Sequence, residues 1–191
     1  MENNDRTMKV WVVKPRFIIT IAGEITDDSY NMFLSTLNEY IANKDMYSGI
    51  SLYITSPGGS ANIAFAMYDL LKSLNISIYT LAIGQCASAA TILFALGKKR
   101  FAAENTSFLI HSARMFYDLQ QTPNITVYTN KLLLDINEKM CKVLKGVTDK
   151  KYFYKKIKSM IDLSQEALYS TEEMLKFGIV TDVFHDFNQI T

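Results

Sequence analysis

The sequence predicts an α/β fold built from βαβ units, and three observations lead there. Short apolar runs with strand character alternate with segments whose apolar residues recur every three or four positions. Glycine or proline punctuates the ends of several runs. No Pro-, Gly- or Ser-rich linker and no short-period repeat divides the 191 residues, so a single domain over 1–191 is expected. Alternation at this spacing favours parallel strands joined by helices.

The elements follow in order. Val10-Trp11-Val12-Val13 and Phe17-Ile18-Ile19-Thr20-Ile21 read as strands separated by Pro15. Thr26-Asp27-Asp28 carries helix-start chemistry, and Phe33, Leu37, Tyr40 and Ile41 follow at helical spacing. Ile50-Ser51-Leu52-Tyr53-Ile54 is the next strand and runs into Pro57-Gly58-Gly59, a tight turn that suits glycine. Ser60 is placed to cap a helix with Ile63, Met67, Leu70, Leu71 and Leu74 on one stripe. A strand over 76–83 is expected to break at Gly84, with a small-residue helix from near Ala87 to Leu96 and Gly97 at its end. Arg100-Phe101-Ala102-Ala103 and Ser107-Phe108-Leu109-Ile110 read as short strands joined by the turn-prone Glu104-Asn105-Thr106. A long helix over 125–145 places Leu133, Ile136, Met140, Val143 and Leu144 on one face. A second helix covers 149–161, and the tail over 170–187 reads as a short helix, Gly178, then a strand.

Composition narrows the function classes. Hydrophobic residues make up 49% and charged residues 20%, as in an ordinary globular chain. A net charge of +1 argues against a dedicated nucleic-acid binder. No apolar run approaches the roughly 20 residues of a membrane span. The start, Met1-Glu2-Asn3-Asn4-Asp5-Arg6, is polar and acidic, unlike a secretory signal. Cys86 and Cys141 fit reduced thiols, so a cytoplasmic location is expected, and their spacing makes no metal site. The sequence carries no Gly-x-x-x-x-Gly-Lys-Ser/Thr loop, so any ATP would be used by a partner.

Three segments carry the chemistry. Ser88 lies in Gly84-Gln85-Cys86-Ala87-Ser88-Ala89-Ala90, where a strand gives way to a helix. A hydroxyl there faces the groove at the strand end, and the Ala89 amide is a candidate oxyanion donor. The surroundings are not the Gly-x-Ser-x-Gly elbow, and a small-residue helix packed on a sheet would look the same. Pro57-Gly58-Gly59 upstream lets the backbone approach a ligand. His111 ends Phe108-Leu109-Ile110-His111 and is one of two histidines; His185, among Asp182 and Asp186, reads as surface. With a serine upstream, His111 is the candidate base. The third group should be a carboxylate, for which Asp162 and Glu166 are both candidates. Cys86 reads as a small buried thiol rather than a competing nucleophile.

Together these stretches resemble the ClpP family, the serine-peptidase proteolytic subunits of Clp proteases. The resemblance rests on Leu52-Tyr53-Ile54-Thr55-Ser56-Pro57-Gly58-Gly59-Ser60, Ala66-Met67-Tyr68-Asp69, Ile83-Gly84-Gln85-Cys86-Ala87-Ser88 and Phe108-Leu109-Ile110-His111. Ser170-Thr171-Glu172-Glu173 and Phe177-Gly178-Ile179-Val180 resemble the family's closing segment. The likeness spans roughly Arg16 to Val183.

It implies a ClpP/crotonase-like fold of repeated β-β-α units, with a protruding helical handle over about 125–161. It implies Ser88 as nucleophile, His111 as base, and the Gly59 and Ala89 amides as oxyanion hole. The family's acid is an aspartate four residues before the closing Ser/Thr. That count from Ser170 reaches Glu166, with Asp162 as the alternative if the chain carries a local insertion. After His111 the family's Gln-Pro and glycines are replaced by Ser112-Ala113-Arg114-Met115, and the segment before Phe17 is short for an axial hairpin and first helix. The implied function is a self-compartmentalised endopeptidase acting on peptides and proteins through an acyl-enzyme, without metal or cofactor. The implied partners are copies of itself in stacked heptameric rings and an AAA+ unfoldase; the apolar excess of the 125–145 helix, beyond one stripe, puts Leu132 or Leu134 at subunit contacts. The rival readings are a crotonase-type acyl-CoA enzyme, which needs no Ser-His pair, and a non-catalytic assembly subunit.

Overall fold

The computed structural model describes residues 14–114, 123–148, 150–163 and 165–190, so the strand expected at Val10-Trp11-Val12-Val13 lies outside them. Its elements are β1 (Phe17–Ala22), α1 (Asp27–Ala42), β2 (Ile50–Ser56), α2 (Ala61–Ser73), β3 (Ile78–Ala87), α3 (Ala90–Phe94), β4 (Lys99–Ala102), β5 (Ser107–His111), α4 (Pro123–Val147), α5 (Lys151–Asp162), β6 (Glu166–Ser170), α6 (Thr171–Lys176) and β7 (Asp182–Val183). The expected α/β fold is found. Strands β1-β2-β3-β4-β7 run parallel in that order, β5 also pairs with β3 in parallel, and β6 adds antiparallel to β5.

Local chemistry accounts for the first elements. In β1 the alternation buries Phe17, Ile19 and Ile21 and leaves Ile18 and Thr20 outward. Thr26 caps α1: its Oγ1 accepts from Ser29 N–H, and the Ser29 Oγ accepts in return from Thr26 N–H at 2.9 Å. The buried stripe of α1 is Phe33, Leu37 and Tyr40, whereas Ile41, expected on it, is exposed. Helical rotation carries the residue after Tyr40 about 100° off the stripe. Ser60 caps α2 through the Ile63 N–H. Ala64, Met67 and Leu71 of α2 join the α1 stripe and the inward side chains of β1–β3 in one core.

Strand β3 departs from expectation. It does not end at Gly84 but runs on to Ala87. Gly84 takes a left-handed φ of 72°, and the register with β2 jumps from Ile54↔Ala82 to Ser56↔Cys86. The extra residues bend the strand. Its first half pairs with β4 and its second half, from Gln85, with β5. The expected helix from Ala87 therefore shrinks to five buried residues, Ala90–Phe94. Strand pairing of Ala87 with Leu109 wins over the helix propensity of the alanines.

The handle expected over 125–161 appears as α4 and α5, with α5 starting at Lys151; Asp149 lies outside the described residues. Ile136, Met140, Cys141 and Leu144 of α4 are buried, while Val127, Tyr128 and Leu134 nearer its start are exposed. The other end of α4 is tied down by buried Arg100. Its guanidinium donates to the carbonyls of Gly97 (2.8 Å), Val147 (3.1 Å), Gly178 (3.0 Å) and Ile179 (2.5 Å). Burial lowers its pKa, yet an arginine stays charged, and carbonyl oxygens take the place of a carboxylate. Strand β6 was not expected. Tyr169 anchors it, edge-on to Phe153 of α5 and to Phe177, with ring centroids 6.0 and 5.6 Å away. The short helix, Gly178 and terminal strand occur as expected. Among the described residues no helix is long and apolar enough to cross a membrane.

Candidate active site

Ser88 stands between β3 and α3 with φ of 53°, one of two non-glycine residues at positive φ among those described. A non-glycine residue held there costs on the order of 1–3 kcal/mol. Three hydrogen bonds hold it: Ser88 N–H donates to Leu109 O at 2.7 Å, and Ser88 O accepts from Thr91 N–H at 3.0 Å and Thr91 Oγ–H at 2.7 Å. At about 1 kcal/mol net apiece these offset the strain. The backbone thus turns sharply at the serine, as in an elbow, without the flanking glycines that would have announced it. Alanines on both sides keep the turn narrow, and the space opposite belongs to Gly58. At φ of 99°, a Cβ on Gly58 would lie 2.7 Å from both Ser88 Cβ and Ala87 O. Gly58 thus makes room for the Ser88 turn, a role beyond the tight turn and ligand approach that the sequence suggested.

Gly59 has φ of 134°, and a Cβ there would strike Ile25 O at 2.4 Å. The loop is fastened on either side: Ile25 N–H donates to Gly58 O at 2.7 Å, and Ser60 N–H donates to Ile25 O at 2.9 Å. The Gly59 and Ala89 N–H groups themselves donate to no acceptor among the described residues. Both residues border the same cavity as Ser88 and His111, of about 510 Å³. Helix α4 supplies its apolar wall through Leu132, Leu133, Ile136 and Met140. Of the face expected from the sequence, Leu133, Ile136 and Met140 thus line this cavity, and Met140 also joins the core.

His111 ends β5, half-buried, with Nδ1 2.6 Å from Ser112 O. A carbonyl oxygen only accepts, so Nδ1 carries the proton. The neutral ring then presents an unprotonated Nε2, the form that a base needs. Glu166 lies directly across the β5–β6 ladder from His111. Directly opposed residues of an antiparallel pair share a face, with Cβ atoms about 5 Å apart. The Glu166 carboxylate, however, accepts from Arg114 Nη2 at 2.8 Å, both side chains being about half exposed. Asp162 pairs with Lys158 at 2.8 Å, one turn away on α5. Among the described residues neither a carboxylate nor the Ser88 hydroxyl hydrogen-bonds His111. Catalytic contacts are often long before substrate binds.

The remaining candidates fall away from the site. His185 is exposed, as expected. Cys86 is fully buried two residues before Ser88, and burial pushes its thiol up, away from the reactive thiolate. Burial likewise raises Cys141. Among the described residues no group of three His, Cys, Asp or Glu side chains could hold a metal ion. Arg114, within the segment after His111, and Asn137, which accepts from that segment, were given no site role from the sequence. Their partners lie 52 and 24 residues away, with no local signal.

Comparison with known proteins gives the family of the chain. The sequence model of the family described as Clp protease matches residues 3–186. Among curated proteins, the chain is similar to the ATP-dependent Clp protease proteolytic subunit of Carsonella ruddii (strain PV). The two are 28% identical over 170 residues, which cover 88% of this chain and 84% of that protein.

Proposed function

The chain belongs to the Clp protease family, and from that premise we propose that it is a serine-type endopeptidase with Ser88 as nucleophile and His111 as base. The supporting observation is the strained turn that presents Ser88 to a cavity shared with His111 and two amides without acceptors, those of Gly59 and Ala89. In this reading His111 Nε2 takes the Ser88 Oγ proton as Oγ attacks the scissile carbonyl. The Gly59 and Ala89 N–H groups stabilise the tetrahedral oxyanion. The imidazolium protonates the departing amine, and a water deprotonated by the same nitrogen then hydrolyses the acyl-enzyme. A crotonase-type acyl-CoA enzyme would use such amides but has no need of a serine held against strain beside a histidine. A fluorophosphonate probe separates the readings: the purified protein should be labelled at Ser88. Absence of labelling together with absence of peptide turnover would favour a non-catalytic assembly subunit.

Glu166 is the proposed acid, stabilising the imidazolium once its carboxylate exchanges Arg114 for the ring across the ladder. Ser112 O already holds the Nδ1–H tautomer, so the roughly 10⁴-fold loss that follows a wrong tautomer is not expected. What remains is the attraction of a half-exposed carboxylate for the imidazolium, on the order of 1 kcal/mol. Glu166→Gln should therefore lower kcat by up to about tenfold. Asp162→Asn should leave kcat within about twofold, since Asp162 serves Lys158 on an exposed helix face. The reverse order in peptide turnover would transfer the role to Asp162.

The substrates proposed are peptides and proteins. The assembly proposed is a ring-forming homo-oligomer, by family two stacked heptamers, fed by an AAA+ unfoldase as the relative's description as an ATP-dependent subunit suggests. Support comes from α4, whose exposed Val127, Tyr128 and Leu134 exceed what packing on its own core requires. Of the two leucines expected at subunit contacts, Leu134 is 69% exposed, while Leu132 lines the cavity. Light scattering should give a particle many times the 21.7 kDa chain, with Leu134→Asp shifting it to smaller species. A peptide-cleaving monomer at micromolar concentration would overturn obligate assembly.

A further inference from the structure

We propose that Asn137 of α4 is a positioning residue for His111, acting through the peptide unit between Ser112 and Ala113. The inference rests on the reading of His111 as base. Asn137 Oδ1 accepts the Ala113 N–H at 2.7 Å. Ser112 O lies 2.6 Å from His111 Nδ1. That N–H and that carbonyl are the two ends of one planar trans peptide, so they point in opposite directions and turn together. Fixing the N–H on Asn137 aims the carbonyl at the imidazole. The bonds also run head to tail, ring N–H to carbonyl and amide N–H to side-chain oxygen, so each polarises the next.

The local backbone needs such a support. Residues 112–114 belong to no helix or strand, and no ladder bond restrains the peptide that follows β5. Asn137 is the only acceptor of the Ala113 N–H among the described residues. Before any such exchange, no carboxylate among the described residues holds the ring, because Glu166 is engaged by Arg114. The support itself is firm. Asn137 lies between Ile136 and Met140, which are buried and line the cavity, on a helix whose end is held by Arg100. Helix α4 thus contributes a polar contact, besides its apolar wall, that decides which nitrogen of the base carries the proton. Partners that orient a metal-bound imidazole from behind matter by about 10–100-fold, and the same order is expected for an imidazole that must present one nitrogen to a serine.

The test compares Asn137→Ala, which removes the acceptor, with Asn137→Asp, which keeps an oxygen acceptor in the same place. Peptide kcat and KM are measured beside the ¹⁵N signals of the His111 ring, assigned by comparison with His185→Gln. Asn137→Ala should lower kcat about 10–100-fold with KM within about twofold, and His111 should lose its Nδ1–H signature. Asn137→Asp should restore both within about threefold of the native protein. An Nδ1–H ring that persists in Asn137→Ala overturns the proposal whatever the rate does. Equal impairment of both variants with an unchanged ring also overturns it, since that marks a purely structural role. Failure of the peptidase reading itself would appear separately, as native protein that neither turns over peptide nor takes a fluorophosphonate.

Discussion

Ser88→Ala should lower peptide turnover about 10⁶-fold, the loss seen when a triad nucleophile is removed, and should abolish fluorophosphonate labelling. The change deletes one hydroxyl and leaves the three main-chain hydrogen bonds that hold the turn, since all of them use Ser88 N–H or O. Alanine meets the same left-handed φ as serine, so the strain is unaltered. The thermal midpoint should accordingly stay within a few degrees of the native value, and the cavity should still bind peptide. Activity above the uncatalysed rate should persist at the level that binding and the Gly59 and Ala89 amides provide, roughly 10³–10⁴-fold. Unchanged turnover in the purified variant would remove Ser88 from the mechanism. A total loss accompanied by a large fall in the midpoint would instead show that the serine serves the fold.

The parts legible in the sequence are those whose cause is local. Phe17, Ile19 and Ile21 alternate because one face of β1 meets α1. Thr26 and Ser60 cap helices through atoms three residues away. Ser88 and Ala89 are candidates because a strand ends there among small residues, and His111 because it closes an apolar strand downstream of the serine; Gly59 as an amide donor comes only from the family resemblance. The misreadings have tertiary causes. Gly84 looks like a strand end, but with β5 available as a second neighbour its positive φ moves β3 from one partner to another. Ala87-Ser88-Ala89-Ala90 looks helical until Leu109 claims Ala87 and the Ser88 N–H. Strand β6 buries only Tyr169 of five residues, so no alternation announces it. The count that reached Glu166 carries no register; the β5–β6 ladder puts the residue opposite His111, and nothing near it in sequence foretells Arg114 as the partner of its carboxylate. Gly58, finally, is fixed by the backbone of a segment 30 residues further on.

His111→Ala should be about as damaging as Ser88→Ala, near 10⁶-fold in turnover, because a hydroxyl at neutral pH is a weak nucleophile without its base. Two observations support His111 over His185 for this proposed role. His111 borders the cavity, half-buried, with Nδ1 held by Ser112 O and Nε2 left to accept a proton. His185 is exposed, and the contact recorded there uses its main-chain N–H, which donates to Gln189 Oε1 at 2.6 Å. His185→Ala keeps that donor and should leave turnover within about twofold, as surface changes usually do. The stronger test is the pair. If Ser88 and His111 act as one unit, the double variant is no slower than either single one, whereas independent contributions would multiply. A double variant slowed by the product of the two losses would mean that His111 assists in some way other than by activating Ser88. An inactive His185→Ala beside an active His111→Ala would move the base to the other histidine altogether.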